Sequence, residues 1–314
     1  MEIYLAPLQG LTDWIFRESY CKNIGGFDKT FSPFIRVQNN GFYRPAQCND
    51  ILPEHNQHQK PVPQFLGNDA LSFALFEELC LEHGYTEVNI NMGCPYPMVT
   101  NRGLGSGMLP EPAHMEQFLK EIFRKTQLAV SIKCRLGLDT ANEFEALAPI
   151  FNAFPLNEII IHPRIGKQQY KGKPDREAFF RLASGLKPAV CYNGDICAKA
   201  DIMEIQTGMP RVSRFMIGRG IVENPFLALE LKGIALPANE KAGKLKSFHS
   251  DMIELGRQKY SGDLNFLKRF EEFWLHHAGF YRDGHKVFKQ VKKSKNLAQY
   301  ERVVFEAINT LQFP

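Results

Sequence analysis

The sequence predicts an α/β protein, a (β/α)8 TIM barrel followed by a C-terminal all-helical domain, and three observations carry that reading. Eight short apolar or β-branched runs alternate with helix-like segments over the first 235 residues. Polar and charged residues gather at the C-terminal ends of those runs, where a parallel barrel keeps its functional groups. Beyond residue 240 the strand-like runs stop and the chain turns basic, with helical spacing in 266–274 and 282–295. The domains are set at 1–240 and 241–314, with an open doubly wound sheet as the competing arrangement for the first.

The elements follow in order. "EIYLAP" (2–7) is the first run and "DWIFRESYC" (13–21) its helix. "KTFSPFI" (29–35) is the second, with a less regular segment after it, and "VPQFLG" (62–67) leads into "ALSFALFEELCLEHG" (70–84). "EVNINM" (87–92) precedes the glycine-rich "RGLGSG" (102–107) and "PAHMEQFLKEIFRK" (112–125). "AVSIKCR" (129–135) pairs with "NEFEALAPIFNAF" (142–154), and "EIIIHP" (158–163) with "DREAFFRLASGL" (175–186). "AVCYNG" (189–194) is followed by "KADIMEIQ" (199–206), and "RFMIGR" (214–219) by "NPFLALELKG" (224–233).

Composition sets the outer limits. The chain has 314 residues, 44% hydrophobic and 23% charged, enough to bury a large core. No apolar run approaches the roughly 20 residues that span a bilayer, and "MEIYLAP" lacks the features of a signal peptide, so a cytoplasmic location is the expectation. Seven cysteines without any C-x-x-C pair argue against a disulfide framework and a zinc site, so reduced thiols and no metal are expected. A monomer is expected.

Strand ends place Gln64, Asn91, Cys94, Lys133, Arg135, His162, Asn193, Asp195, Gly218 and Arg219 in the barrel mouth. Because residues two apart share a strand face, Lys133 and Arg135 point together and Cys134 faces the helices. By the same rule Asn89 and Asn91 share the inner face while Ile90 turns outward. "FMIGRGIVENP" (215–225) ends a strand in two glycines, which reads either as a turn or as a phosphate cradle with Arg219 supplying charge. It does not follow the dinucleotide G-x-G-x-x-G pattern. Phosphate, amide, lysine and histidine groups together suit flavin mononucleotide better than NAD.

After residue 240, Lys and Arg outnumber Asp and Glu by 14 to 8. The excess lies in "RDGHKVFKQVKKSK" (282–295), where Arg282, Lys286, Lys289 and Lys293 are spaced four, three and four, one face of a helix anchored by Phe280, Val287, Phe288 and Val291. By itself that face reads as solvated surface. Phe266, Phe270, Phe273 and Trp274 at helical spacing read as core, and His276 and His277 are given no ligand role.

These residues resemble the tRNA-dihydrouridine synthases over essentially the whole chain. "LAPLQGLTD" (5–13), containing Pro7, is similar to that family's opening flavin loop, "VPQFLG" to its glutamine strand and "NINMGCP" (89–95) to its active-site signature. "IKCRLG" (132–137), His162, "NGDI" (193–196) and "IGRG" (217–220) follow in the family's order. The resemblance implies an FMN barrel, NADPH or NADH as reductant, and a C-terminal domain, helical throughout, that grips tRNA, which turns Arg282, Lys286, Lys289, Lys292, Lys293 and Lys295 into RNA-binding candidates. It implies hydride delivery to C6 of uracil and proton delivery to C5 from Cys94, a thiol being still protonated at neutral pH with its ordinary pKa of about 8.5. Asn91, Lys133 and Arg135 would meet the uracil, and Lys133 also the flavin. Pro7, Gln64, His162, Asn193, Asp195, Gly218 and Arg219 would hold the cofactor.

Two departures stand out. Tyr96 and Met98 occupy places where the family has a small residue and a lysine, so one RNA contact is missing or moved, with Arg102 as a candidate; Pro163 replaces glycine or alanine before Arg164. The tail resembles the subgroup acting on uridine 16 of the D-loop. The alternatives are an FMN enzyme acting on a free pyrimidine or other small molecule, which needs no basic tail, and a non-catalytic RNA-binding barrel, against which intact Cys94, Lys133 and Arg135 argue.

Overall fold

The computed structural model describes residues 1–38 and 41–310; residues 39, 40 and 311–314, the last four of the expected helical domain, lie outside it. Eight strands form a closed parallel sheet: β1 (Glu2–Leu5), β2 (Lys29–Gln38), β4 (Val62–Leu66), β5 (Glu87–Met92), β6 (Ala129–Gly137), β7 (Glu158–Ile165), β8 (Ala189–Asn193) and β9 (Arg214–Ile217). The two-residue β3 (Gly41–Phe42) adds antiparallel to the end of β2 and has no counterpart in the sequence reading. Neighbours run β1-β9-β8-β7-β6-β5-β4-β2, and β1 pairs with β2 to close the barrel. The doubly wound alternative is thereby excluded.

The outer ring holds α1 (Trp14–Asn23), α2 (Ala70–Glu82), α3 (Pro97–Thr100), α4 (Pro112–Phe123), α5 (Glu143–Ala153), α6 (Arg176–Ala183), α7 (Lys199–Gly208), α8 (Arg219–Glu223) and α9 (Leu227–Leu231). Alternation works as expected: Ile90 and Cys134 belong to the core between sheet and helices. Tyr4, Phe31, Val62, Ile160, Cys191 and Met216 fill the barrel interior. Above them lies a polar layer, Gln64, Asn89 and Ser131, all fully buried.

The C-terminal region consists of α10 (Ala238–Lys259), α11 (Asp263–His277), α12 (Gly284–Lys293) and α13 (Leu297–Asn309). Phe266, Phe270, Phe273 and Trp274 are its core, as their spacing predicts, with Trp274 Nε1 donating to Tyr300 at 2.9 Å. It is fastened to the barrel by ions. Asp13 caps α1 through Phe16 N (3.3 Å) and accepts Lys259 Nζ from α10 at 3.1 Å and Arg269 from α11 at 3.3 Å. His277 Nδ1 donates to the carbonyl of Val222 in α8 at 2.9 Å.

Candidate active site

Two adjoining cavities open at the C-terminal end of the barrel. The larger, about 230 Å³, is lined among others by Pro7, Asn91, Cys94, Lys133, Arg135 and His162. The smaller, about 70 Å³, adds Asn193, Gly194, Asp195 and Gly218. Pro7, Leu8, Lys133, His162, Tyr170 and Arg219 border both, so the two form one elongated cleft.

Cys94 is placed by its neighbours on β5. Asn91 Oδ1 accepts the amides of Gly93 (3.0 Å) and Cys94 (2.9 Å), which turns the chain sharply past the strand end. Asn91 Nδ2 donates to Gln64 Oε1 at 2.7 Å, and Gln64 Nε2 donates to Asn89 Oδ1 at 2.8 Å. Asn89 Nδ2 then reaches Ser131 Oγ at 3.0 Å. Gln64, expected at the cofactor, therefore borders neither cavity; it sits one layer down with both ends of its amide engaged.

Burial pushes the Cys94 thiol above its ordinary value, against the pull of a backbone hydrogen bond and of Arg135, Lys133 and Arg36. Burial, then Arg135, brings the Lys133 ammonium down to about 8. Arg135, lowered to about 10 chiefly by burial, gives its Nε to Gly93 O (2.9 Å) and its Nη1 to Ile165 O (2.9 Å) and Gln169 O (2.7 Å). It thus ties the cysteine loop to the loop after β7, with Nη2 left over.

His162 Nε2 lies 2.9 Å from Arg164 Nη1. An arginine only donates, so Nε2 is the acceptor and the neutral ring carries its proton on Nδ1. Burial and four surrounding cations hold it far below its usual pKa. Arg164 Nη1 and Nη2 also hold Asp195 at 3.1 and 2.5 Å, and Arg219 Nη2 meets the same carboxylate at 2.8 Å. Pro163 does not disturb this network. Gly194 and Asp195 turn with φ of 159° and 42°. A Cβ on Gly218 would rest against Ala6 and Leu8 at 3.4 Å, ordinary contact distance, so the β1 and β9 loops lie side by side here.

Sequence reasoning missed Tyr170, Glu272 and His276. Tyr170 stands between the cavities, 4.8 Å from the Arg219 and 5.6 Å from the Arg135 guanidinium carbon. Glu272 and His276, on α11, face the larger cavity. Their signal was the spacing Arg269, Glu272, His276, one helix face beside the buried aromatic one.

The basic segment is only partly as expected. Helix α12 begins at Gly284, so Arg282 precedes it and Lys295 follows it, and the common face is Lys286, Lys289 and Lys293. Lys286 pairs with Asp283 (3.2 Å) and Lys292 with Glu271 (2.6 Å). All six remain exposed. Among the described residues no helix is long and apolar enough to cross a membrane, and no cluster of side chains suits a metal ion.

Comparison with known proteins agrees with this geometry. A family model described as dihydrouridine synthase matches residues 4–312. A tRNA-dihydrouridine(16) synthase of Cupriavidus necator is 28% identical over 85% of this chain and 88% of its own. Its namesake in Pseudomonas putida is 30% identical over 74% and 73%, and tRNA-dihydrouridine synthase B of Pasteurella multocida is 27% identical over 72% and 67%. Among solved structures, morphinone reductase shares the barrel with a TM-score of 0.52 at 11% identity, over 75% of this chain and 86% of that one. The old yellow enzyme of Trypanosoma cruzi gives 0.51 at 11%, over 75% and 89%.

Proposed function

The chain belongs to the dihydrouridine synthase family, and on that premise we propose that it reduces uridine 16 of tRNA to 5,6-dihydrouridine, in the cytoplasm and as a monomer, with FMN as cofactor and NADPH or NADH as reductant. The choice of uridine rests on the names of its Cupriavidus and Pseudomonas relatives. The cleft suits FMN: it is elongated, walled by Pro7 and Leu8, and bordered at one end by Asn193, Gly218 and Arg219. Lys133, Arg135 and Arg219 against Asp195 and Glu272 leave it net positive, as a phosphate requires. When bound, the flavin supplies the hydride for C6.

Everything else falls to the chain. Cys94 keeps its proton at neutral pH because burial raises the thiol, and Sγ delivers it to C5. The thiolate left behind is stabilised by Lys133 and Arg135 until solvent reprotonates it. His162 offers Nδ1–H as a fixed donor, its other nitrogen being held by Arg164. Asn91 orients the cysteine loop and keeps one N–H for the uracil. Residues 241–314 form the tRNA-gripping domain, with the basic face of α12 toward RNA phosphates and Glu272 and His276 reaching the cleft. Extrahelical uridine costs a few kcal/mol, which those phosphate contacts offset.

The carrying observation is the placement of Cys94 beside Lys133 and Arg135 on the wall of one cleft. The test is dihydrouridine content, site by site, in tRNA from cells lacking the gene, rescued with wild type or Cys94→Ala. Loss at position 16, restored only by wild type, is expected; unchanged dihydrouridine at every site, with no second synthase present, would return the free-pyrimidine reading.

A further inference from the structure

Among the described residues, Arg36 is a buried cation without a counterion. Only 6% of its surface is exposed, yet Nε and Nη2 have no hydrogen-bond partner, and neither it nor Arg44 has a carboxylate within ion-pair distance among the described residues. The other buried arginines leave at most Nε without a partner and engage the rest of the guanidinium: Arg17 with Asp50 and the Thr12 carbonyl, Arg135 with three carbonyls, Arg164 with Asp195. A buried, unpaired charge is costly to keep, which marks Arg36 as awaiting an anion.

Local sequence explains where it points. Pro33 interrupts β2, and the register jumps from Phe31 opposite Val62 to Phe34 opposite Gln64. That bulge shifts the alternation by one, so Phe34 and Arg36 face inward where Pro33 and Ile35 otherwise would. Phe34 lines the cleft. Arg36, one inward position further toward the mouth, is opposite Leu66, whose apolar cluster includes Cys94. Its guanidinium carbon lies 4.6 Å from the ring centre of Tyr43, which is 44% exposed, and Arg44 stacks on the same ring at 5.7 Å. Arg102 adds a third cation close enough to oppose the charge on Arg36.

We propose that Arg36, stacked on Tyr43, holds a phosphodiester of the tRNA strand beside the reduced uridine, a grip on the barrel side of the cleft separate from helix α12. The two unpartnered nitrogens, Nε and Nη2, form the side-on edge of the guanidinium; both are buried in the free protein, so the phosphate reaches them by displacing what covers that edge, and it then meets both donors at once. This is not the cofactor's phosphate, because Arg36 borders neither cavity. The inference rests on the tRNA reading. Its remaining rival is a phosphate of NADPH, and the test separates the two.

In the flavin-loaded full chain, tRNA affinity is measured against salt for wild type, Arg36→Met and Arg36→Lys. For Arg36→Met we expect about tenfold weaker binding and a log Kd against log salt slope smaller by about one, as for a single lost phosphate contact, with KM for NADPH unchanged in flavin reduction. Arg36→Lys recovers the slope but only part of the affinity. Wild-type slope and affinity in Arg36→Met overturn the proposal, as does an effect confined to the NADPH KM. If Arg36→Met fails to retain flavin, Tyr43→Leu on the exposed side decides: about threefold weaker tRNA binding supports the grip and an unchanged affinity refutes it. Wild-type protein that binds no tRNA at all would sink the functional reading instead.

Discussion

The carboxylate of Asp13 joins barrel to helical region, and its removal is the perturbation whose size the structure sets most directly. Asp13 is 8% exposed, and its Oδ2 is shared by Lys259 and Arg269, for which it is the one carboxylate in ion-pair distance among the described residues. Asp13→Ala leaves two half-buried cations unpaired and α1 uncapped. Breaking such a pair costs roughly 3–5 kcal/mol, a helix cap contributing about 1 of it. The control is Lys22→Ala, which breaks the more exposed Lys22–Asp251 pair (3.0 Å, side chains 49% and 25% exposed) but leaves the Asn23–Asp251 hydrogen bond in place, and costs no more than about 1 kcal/mol. Urea unfolding followed by circular dichroism measures both. A loss below about 1 kcal/mol in Asp13→Ala would falsify the view that this carboxylate fastens the two parts. The pH dependence has a definite sign. Arg269 and Lys259, outweighing burial, hold Asp13 below the usual carboxylate range, so its contribution is complete above the unfolded value of about 4 and fades as pH falls through the folded one. Asp50, pushed up by burial, works in the opposite direction and blunts that fall. Because α11 carries Arg269 together with Glu272 and His276, Asp13→Ala also weakens tRNA binding while sparing flavin reduction by NADPH.

Cys94→Ala should keep its flavin and lose about 10² to 10⁴ of the single-turnover rate with reduced enzyme and tRNA, the usual worth of a positioned acid; a rate within threefold of wild type would move the proton donor elsewhere. Asp195→Ala frees Arg164 to leave His162 and should lower bound flavin, read as the ratio of absorbance at 450 and 280 nm in the purified protein. Charge reversal at Lys289 and Lys293 should weaken tRNA binding at low salt by at least tenfold and flatten its salt dependence; unchanged affinity would remove α12 from the RNA interface.

Much of the barrel was legible because strand runs, helix-like gaps and the polar strand ends all point to one closed sheet. Alternation fixed which face a residue takes, correctly for Asn89, Asn91, Lys133 and Cys134. It carries no information on height. Gln64 and Asn91 both end strands, but the stagger between β4 and β5 pairs Gln64 with Asn89, which drops Gln64 into the layer beneath the cleft. The phase shift at Pro33 is equally invisible to simple counting, and it turns Arg36 inward. Glu272 and His276 arrive from a helix nearly 180 residues after Cys94, and only tertiary packing brings them to the mouth. The predicted basic face lost Arg282 because α12 begins two residues later, at Gly284.

The buried amide layer in the barrel shows why such polarity persists in a core. An apolar Gln64, Asn89 and Ser131 would fill the same space without desolvating three polar side chains, and burial of an amide is tolerated only when its bonds are made. Here they are made in sequence: Ser131 Oγ donates to Val88 O at 3.1 Å and accepts from Asn89, whose Oδ1 accepts from Gln64, whose Oε1 accepts from Asn91. The direction of every donor in that chain leaves Asn91 Oδ1 with one use, the amides of Gly93 and Cys94. An Asn91 free to flip would present its NH2 to those two amides and open the turn. On the proposed role of Cys94 the layer acts on the chemistry at one remove, by fixing the amide of Asn91 that holds the cysteine loop. Gln64→Met tests this without touching the cleft: the unbranched side chain is close to glutamine in length and volume, strands Asn91 Nδ2 and Asn89 Oδ1 and should lower the proton-transfer rate while flavin content stays at the wild-type level, whereas a residue that merely fills the core would leave that rate unchanged.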